Sequence, residues 1–210
     1  MSRFTSYAVF ALFAVAVFVT PPPLFADHHE GKATDESQEA AMQEWMKYAQ
    51  PGDMHKSIAK FEGTWEASTM MWMEPGADPM SSVASSKNEM MLGGRYLRQS
   101  FKGNIMGMAF EGVGITGYDN YSKMFTSLWM DNTSTMIMVF EGTTNEEGQV
   151  VMTGKYKDPR SGETKTSKSL SYWRDDDTHV FEMWEKAPDG TQFKHMEMVY
   201  TRSGGDQAKK

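Results

Sequence analysis

The stretch Gly112–Gly142, GVGITGYDNYSKMFTSLWMDNTSTMIMVFEG, decides the fold. Runs rich in Val, Ile, Thr, Phe, Trp and Met are broken by Asp119-Asn120 and by Asp131-Asn132-Thr133-Ser134. Branched and aromatic residues suit a pleated, half-buried surface. Asp and Asn bond their local backbone and tolerate positive φ, so they favour reversals. The stretch predicts strands near 108–118, 123–130 and 135–142 joined by tight turns. Turn chemistry alone is enough to account for its polar clusters.

The same alternation extends outward on both sides. It predicts further strands near 64–73, 82–91, 94–102, 149–157, 164–173, 178–186 and 192–202. Turn signals separate them, among them Glu74-Pro75-Gly76, Gly93-Gly94, Glu147-Gly148, Asp158-Pro159, Asp175-Asp176-Asp177 and Pro188-Asp189-Gly190. All the connections are short, and none holds a helix long enough for a parallel crossover. About ten antiparallel strands in series lose their edges by closing. The expected fold is therefore mainly β: a closed antiparallel up-and-down barrel over 62–203 with an N-terminal helical extension over 36–61.

In that extension Met42, Trp45, Met46 and Ala49 recur at i, i+3, i+4 and i+7 and mark one helical face over Glu36–Gln50, closed by Pro51-Gly52. A second short helix runs from Asp53, a candidate N-cap, towards Phe61. A helix this isolated needs a docking partner. The candidates are the outer wall of its own barrel, which the short Pro51-Gly52 link favours, and the same helix in a second subunit, which would give a homodimer.

Residues 1–26 have the form of an export signal, with Arg3 ahead of the apolar run Tyr7–Val19 and a small residue, Ala26, at the cut. Pro21-Pro22-Pro23 interrupts the run before it reaches the ~20 residues of a membrane span. The expectation is a periplasmic or secreted protein with no membrane association after cleavage. Residues 27–35 and 204–210 are polar and read as a disordered linker and tail. A net charge of −7 gives no electrostatic reason to bind nucleic acid. Zero Cys excludes disulfides and thiol chemistry, and the 20 Met residues read first as flexible core filler.

Two segments resemble a known signature: KFEGTWEAS (Lys60–Ser68) and MEMVYTR (Met196–Arg202). Gly63-Thr64-Trp65 opening the first strand and Arg202 closing the last are similar to the lipocalin-like, or calycin, barrels. That resemblance implies that Trp65 plugs the closed end and Arg202 lies across it, a stacking that gains cation–π energy. The runs MLGGRYLRQSFKG, FEGVGITGYDNYSKMFTSLWMDNTST, FEGTTNEEGQ and DPRSGE resemble, more narrowly, the bacterial family called domain of unknown function 1579, from about Met54 to Arg202. The helix around Trp45 and the heavy use of Met lie outside the resemblance. It implies a calycin-like barrel and no particular activity or cofactor.

Strand parity gives a candidate interior. With Trp65 inward, Ala67, Thr69 and Met71 are inward; with Arg202 inward, so are Tyr200, Met198, Met196 and Lys194. Trp129 and Asp131 share a face, which puts the carboxylate at the barrel mouth. Thr69, Met71, Trp129, Asp131, Met196, Met198 and Tyr200 are thus the candidate contacts for a small, partly apolar ligand; side chains filling the interior solidly is the competing reading.

An enzyme would draw acid–base groups from Asp119, Asp131, Glu111, Glu182, Glu197, His179 and His195. The chain has no GxSxG, HExxH or phosphate-loop motif. Parity turns His195 to solvent, and both strand histidines are expected on the surface. Some calycin-like barrels bind haem through a histidine. With His179 and His195 outward, and His55 on the preceding helix, haem is a minor option here. Copper is a further one: after cleavage Asp27-His28-His29 would offer an amine, two amides and an imidazole for a square-planar ion, and Met70, Met71, Met73 and Met80 would add thioethers.

Overall fold

The computed structural model describes residues 35–159 and 161–204. Ten strands follow two helices: β1 (Gly63–Met71), β2 (Met80–Met91), β3 (Tyr96–Ile105), β4 (Met108–Asp119), β5 (Met124–Asp131), β6 (Met138–Thr144), β7 (Val150–Lys157), β8 (Thr164–Asp175), β9 (Thr178–Lys186) and β10 (Gln192–Arg202). Each pairs antiparallel with the next, and β1 also pairs with β10, so the sheet closes on itself. The expected barrel is the observed one. β6 starts at Met138 rather than near 135, because the loop before it is held by side chains: Asp131 accepts from Thr133 N–H at 2.9 Å and Ser134 Oγ from Met136 N–H at 3.2 Å.

One end of the barrel is shut. There β1 begins, β10 ends, and Trp65 stands opposite Arg202. Trp65 is 0% exposed, and the Arg202 guanidinium lies 4.1 Å from its ring centroid. The same guanidinium donates to the Glu62 and Lys60 carbonyls at 3.0 and 3.1 Å and to Asp177 Oδ1 at 2.9 Å. Position 63 needs glycine twice over. Its φ is +116°, and a Cβ would sit 3.2 Å from Arg202 Nη1.

Two helices precede the barrel: α1 (Asp35–Ala49) and α2 (Asp53–Ala59). α2 closes the shut end, its Ile58 packing with Leu97, Phe125, Phe140 and Met152. The N-cap is Gly52, not Asp53, which lies in the first turn. The Gly52 N–H donates to His55 Nδ1 at 3.0 Å, so His55 serves the cap. Burial lowers the His55 pKa and keeps that nitrogen an acceptor.

α1 departs from expectation. Its C-terminal end is tied to the barrel, with Asn120 Nδ2 donating to the Tyr48 and Gln50 carbonyls at 3.0 and 2.7 Å and Arg95 Nη2 to the Ala49 carbonyl at 2.6 Å. Its apolar face does not dock on the barrel wall: Met42 and Trp45 are 59% and 64% exposed. The tether is polar and short, so it fixes where the helix starts from the barrel without turning that face inward. Asn120 is therefore a strap for α1, while Asp119 is the turn residue, accepting from the N–H groups of Tyr121 and Ser122 at 2.9 and 3.0 Å. The export signal, Asp27-His28-His29, most of the linker and most of the tail lie outside the described residues.

Candidate functional site

The barrel is hollow. A cavity of about 1100 Å³ runs from the shut end to the open end, and Thr69, Met71, Trp129, Asp131, Met196, Met198 and Tyr200 all line it. These seven candidate contacts share one cavity, whereas Lys194, which parity also placed inward, does not line it. Sequence reasoning missed Gln99, Phe101, Phe110, Phe181, Met183 and Glu185, which share the lining. Counting parity from Leu97 on β3 would have found the first two.

A polar chain forms the floor. The Phe61 carbonyl accepts from Trp65 Nε1 and Asn88 Nδ2 at 3.1 and 2.8 Å. Asn88 Oδ1 accepts from Ser86 Oγ at 2.8 Å, and Gln99 Nε2 donates to Ser86 Oγ and Tyr200 Oη at 3.0 and 3.2 Å. Tyr200 is 3% exposed. Burial pushes its phenol pKa up to about 12, outweighing the Gln99 hydrogen bond, so it stays a neutral donor.

His179 corrects the expectation of a surface histidine. It stands opposite Tyr200 in the register, and directly opposite residues share a face. Its ring sits 4.5 Å from Phe61 and 4.9 Å from Trp173, and it lines the cavity. Burial pushes its pKa down to about 4, and Nδ1 has no hydrogen-bond partner among the described residues.

His195 is a second correction. The pairing of β10 with β9 slips between Lys194 and Met196, a bulge that puts an extra residue into β10. Parity counted back from Arg202 fails across it. His195 lines the cavity, and Lys194, expected inside, bonds Glu182 and Glu197 on the outer wall instead. His195 Nδ1 lies 3.0 Å from the Trp72 carbonyl, and the Trp72 N–H donates to the His195 carbonyl at 2.8 Å.

The mouth lies between the hairpins opposite the shut end. Asp131 Oδ2 accepts from Trp129 Nε1 at 2.9 Å, and Oδ1 from the Thr133 hydroxyl at 2.6 Å. The Trp129 ring lies over β4 where Gly112 leaves room, since a Cβ there would overlap the indole. Across the barrel, Glu185 Oε1 accepts from Tyr156 Oη at 2.7 Å. The other acid–base candidates do not converge: Glu111 is exposed and pairs with Lys102 at 3.3 Å, and Asp119 serves its turn. The Met cluster divides as well. Met71 and Met80 line the cavity, while Met70 and Met73 are 37% and 57% exposed. Among the described residues no group of three or more His, Cys, Asp or Glu is placed to hold a metal.

Comparison with known proteins fits this geometry. The family described as "Protein of unknown function (DUF1579)" matches residues 50–202. The crystal structure of Rv2717c from M. tuberculosis is similar in fold, with a TM-score of 0.55 at 11% identity, covering 73% of this chain and 99% of that one. A protein of unknown function from the DUF3598 family of Nostoc punctiforme aligns at 7% identity and a TM-score of 0.23, over 73% of this chain and 100% of that one. No curated protein matches the sequence.

Proposed function

The chain belongs to the DUF1579 family, and from that premise we propose that it is an exported carrier that holds a small, partly apolar molecule inside its barrel. The observation that carries this reading is the cavity of about 1100 Å³, shut at the Trp65 end and walled by Met and aromatic side chains. A void of that size is costly unless something fills it, because apolar walls facing no partner atoms forfeit their dispersion energy. It lies just above the usual range of ligand pockets, roughly 300–1,000 Å³. Export is supported by the form of residues 1–26. Against catalysis at the mouth, Asp131 and Glu185 stand on well-separated strands of the barrel and each is engaged by its own neighbour.

The test is native mass spectrometry of protein purified from the exported fraction of its own host. The expected result is a population carrying a retained small molecule, released on denaturation. A chain of bare mass, together with no binding of apolar fluorescent probes, would overturn the reading.

A further inference from the structure

Resting on the carrier reading, we propose that the ligand is an organic cation, an apolar body bearing an ammonium head, and that the head sits at the mouth beside Glu185 and His195 on the neighbouring strands β9 and β10, with Asp131 adding negative charge across the barrel. Among the described residues the charged side chains that line the cavity are acidic: Asp131 and Glu185 contribute carboxylates, and none of the described lysines and arginines lines it. A carboxylate ligand would leave water for a chamber with no fixed positive charge, and burying an unpaired ion is expensive. The neighbouring cations are engaged elsewhere. Lys165 shares the inward face of β8 with Ser167 and Ser169 but is held by Asp158 at 2.7 Å. Lys194 is turned to the outer wall between Glu182 and Glu197.

The acceptors suit a cation. An ammonium has three donors and no acceptor, and the neighbouring strands β9 and β10 offer it Glu185 and His195, while Asp131 on β5 contributes charge from the far side of the mouth. Glu185 gives one oxygen to Tyr156, leaving the other with no hydrogen bond among the described residues. Asp131 has both oxygens anchored locally, and a carboxylate has further lone pairs to give. His195 Nδ1 faces the Trp72 carbonyl, which can only accept, so Nδ1 carries a proton and Nε2 is the ring nitrogen left for the ligand. Trp129, Phe101 and Phe110 lie together just inside, their rings 5.9 to 6.5 Å apart, and aromatic faces attract cations. Deeper in the same cavity the buried, unpartnered His179 Nδ1 is a place for a second polar atom of the ligand. The net charge of −7 favours approach of a cation.

Three probes with one tail and different heads test this: decylammonium, decanol and decanoate, titrated calorimetrically into the purified full chain at neutral pH. The expected order is decylammonium tightest and decanoate weakest, separated by about tenfold or more, the worth of one charge-assisted hydrogen bond. Glu185→Gln, which keeps an acceptor for Tyr156, should bring the amine affinity towards that of the alcohol. Asp131→Asn/Glu185→Gln should do so further, with thermal melts to check folding. Decanoate binding as tightly as the amine, or an amine preference that survives Glu185→Gln, would overturn the cation proposal while leaving the carrier reading intact. Failure of all three probes, the uncharged alcohol included, would overturn the carrier reading itself.

Discussion

Replacing Trp65 and Arg202 singly and together tests whether the shut end is one coupled unit. Trp65→Ala removes a fully buried indole in contact with Phe61, Trp173 and Arg202, which costs about 3–5 kcal/mol. No orphaned carbonyl adds to that figure, because the Phe61 oxygen keeps its hydrogen bond from Asn88 Nδ2. Arg202→Ala loses a cation–π contact of about 0.5–1 kcal/mol. The Arg202 side chain is 34% exposed and Asp177 71% exposed, so water replaces much of the rest and the ion pair adds little. About 2 kcal/mol is expected for the single change, allowing for the two carbonyls that lose charged donors. Once the indole is gone the guanidinium has no face to cover, so the double variant should cost about 1 kcal/mol less than the sum. Urea unfolding by linear extrapolation, with unchanged slope, reads all three. Additivity within ~0.3 kcal/mol would refute the coupling and with it the seal.

Three further perturbations address other parts of the molecule. His179 has a folded pKa near 4 against about 6.5 unfolded; the unfolded chain therefore binds more protons between those values, and this contribution to stability is present above about 6.5 and lost as pH falls towards 4. Its full size is about 3 kcal/mol, and His179→Phe should flatten the acid limb of the stability profile; an unchanged limb would place the ring in water. Deleting residues 35–48 removes a helix whose apolar face is exposed, so the barrel should lose under about 1 kcal/mol, a melting shift of roughly 2–4 °C or less; light scattering on both chains shows whether that face joins two copies. Gly112→Ala puts a methyl group into the Trp129 ring, which should cost about 1–3 kcal/mol and weaken binding of decylammonium; unchanged binding would detach Trp129 from the site.

Most of the barrel was legible because two short-range rules act everywhere along it. Period-two alternation marks the strands, and Asp, Asn, Gly and Pro mark the reversals, as at Asp119, whose carboxylate binds the turn. The seal was legible through the calycin resemblance that Gly63-Thr64-Trp65 and Arg202 carry, and the structure shows what those residues do in it: Gly63 has φ +116° and Arg202 stacks on Trp65. The histidines were not. β9 is mixed on both faces, with His179, Phe181 and Met183 inside and the buried Val180 and Glu182 outside, so alternation gives no sign of which face is which. β10 carries a bulge with neither Gly nor Pro to mark it, and one extra residue reverses every assignment beyond it. Hollowness was illegible for another reason: it depends on whether side chains from opposite walls meet, which no single strand records.

The bulge joins the structural account to the functional one. Lys194, Glu182 and Glu197 form a cluster on the outer wall, with Glu182 8% exposed and Lys194 lying over the Trp72 ring at 5.7 Å. Burial alone would lower the Lys194 pKa; Glu197 and Glu182 outweigh it and hold the pKa above its ordinary value, so the lysine stays charged. Buried ion clusters of this kind are weak sources of stability, since desolvation offsets attraction. What this one does is local. It draws Lys194 outward at the point where β10 slips against β9, while Trp72 grips the next residue through two hydrogen bonds, one from its N–H and one to its carbonyl. With Lys194 held outside and the His195 backbone clamped, the imidazole has only the cavity to enter. The outer charges thus set two features on which the proposed cation selection rests: they keep a lysine out of the chamber and place an imidazole in it.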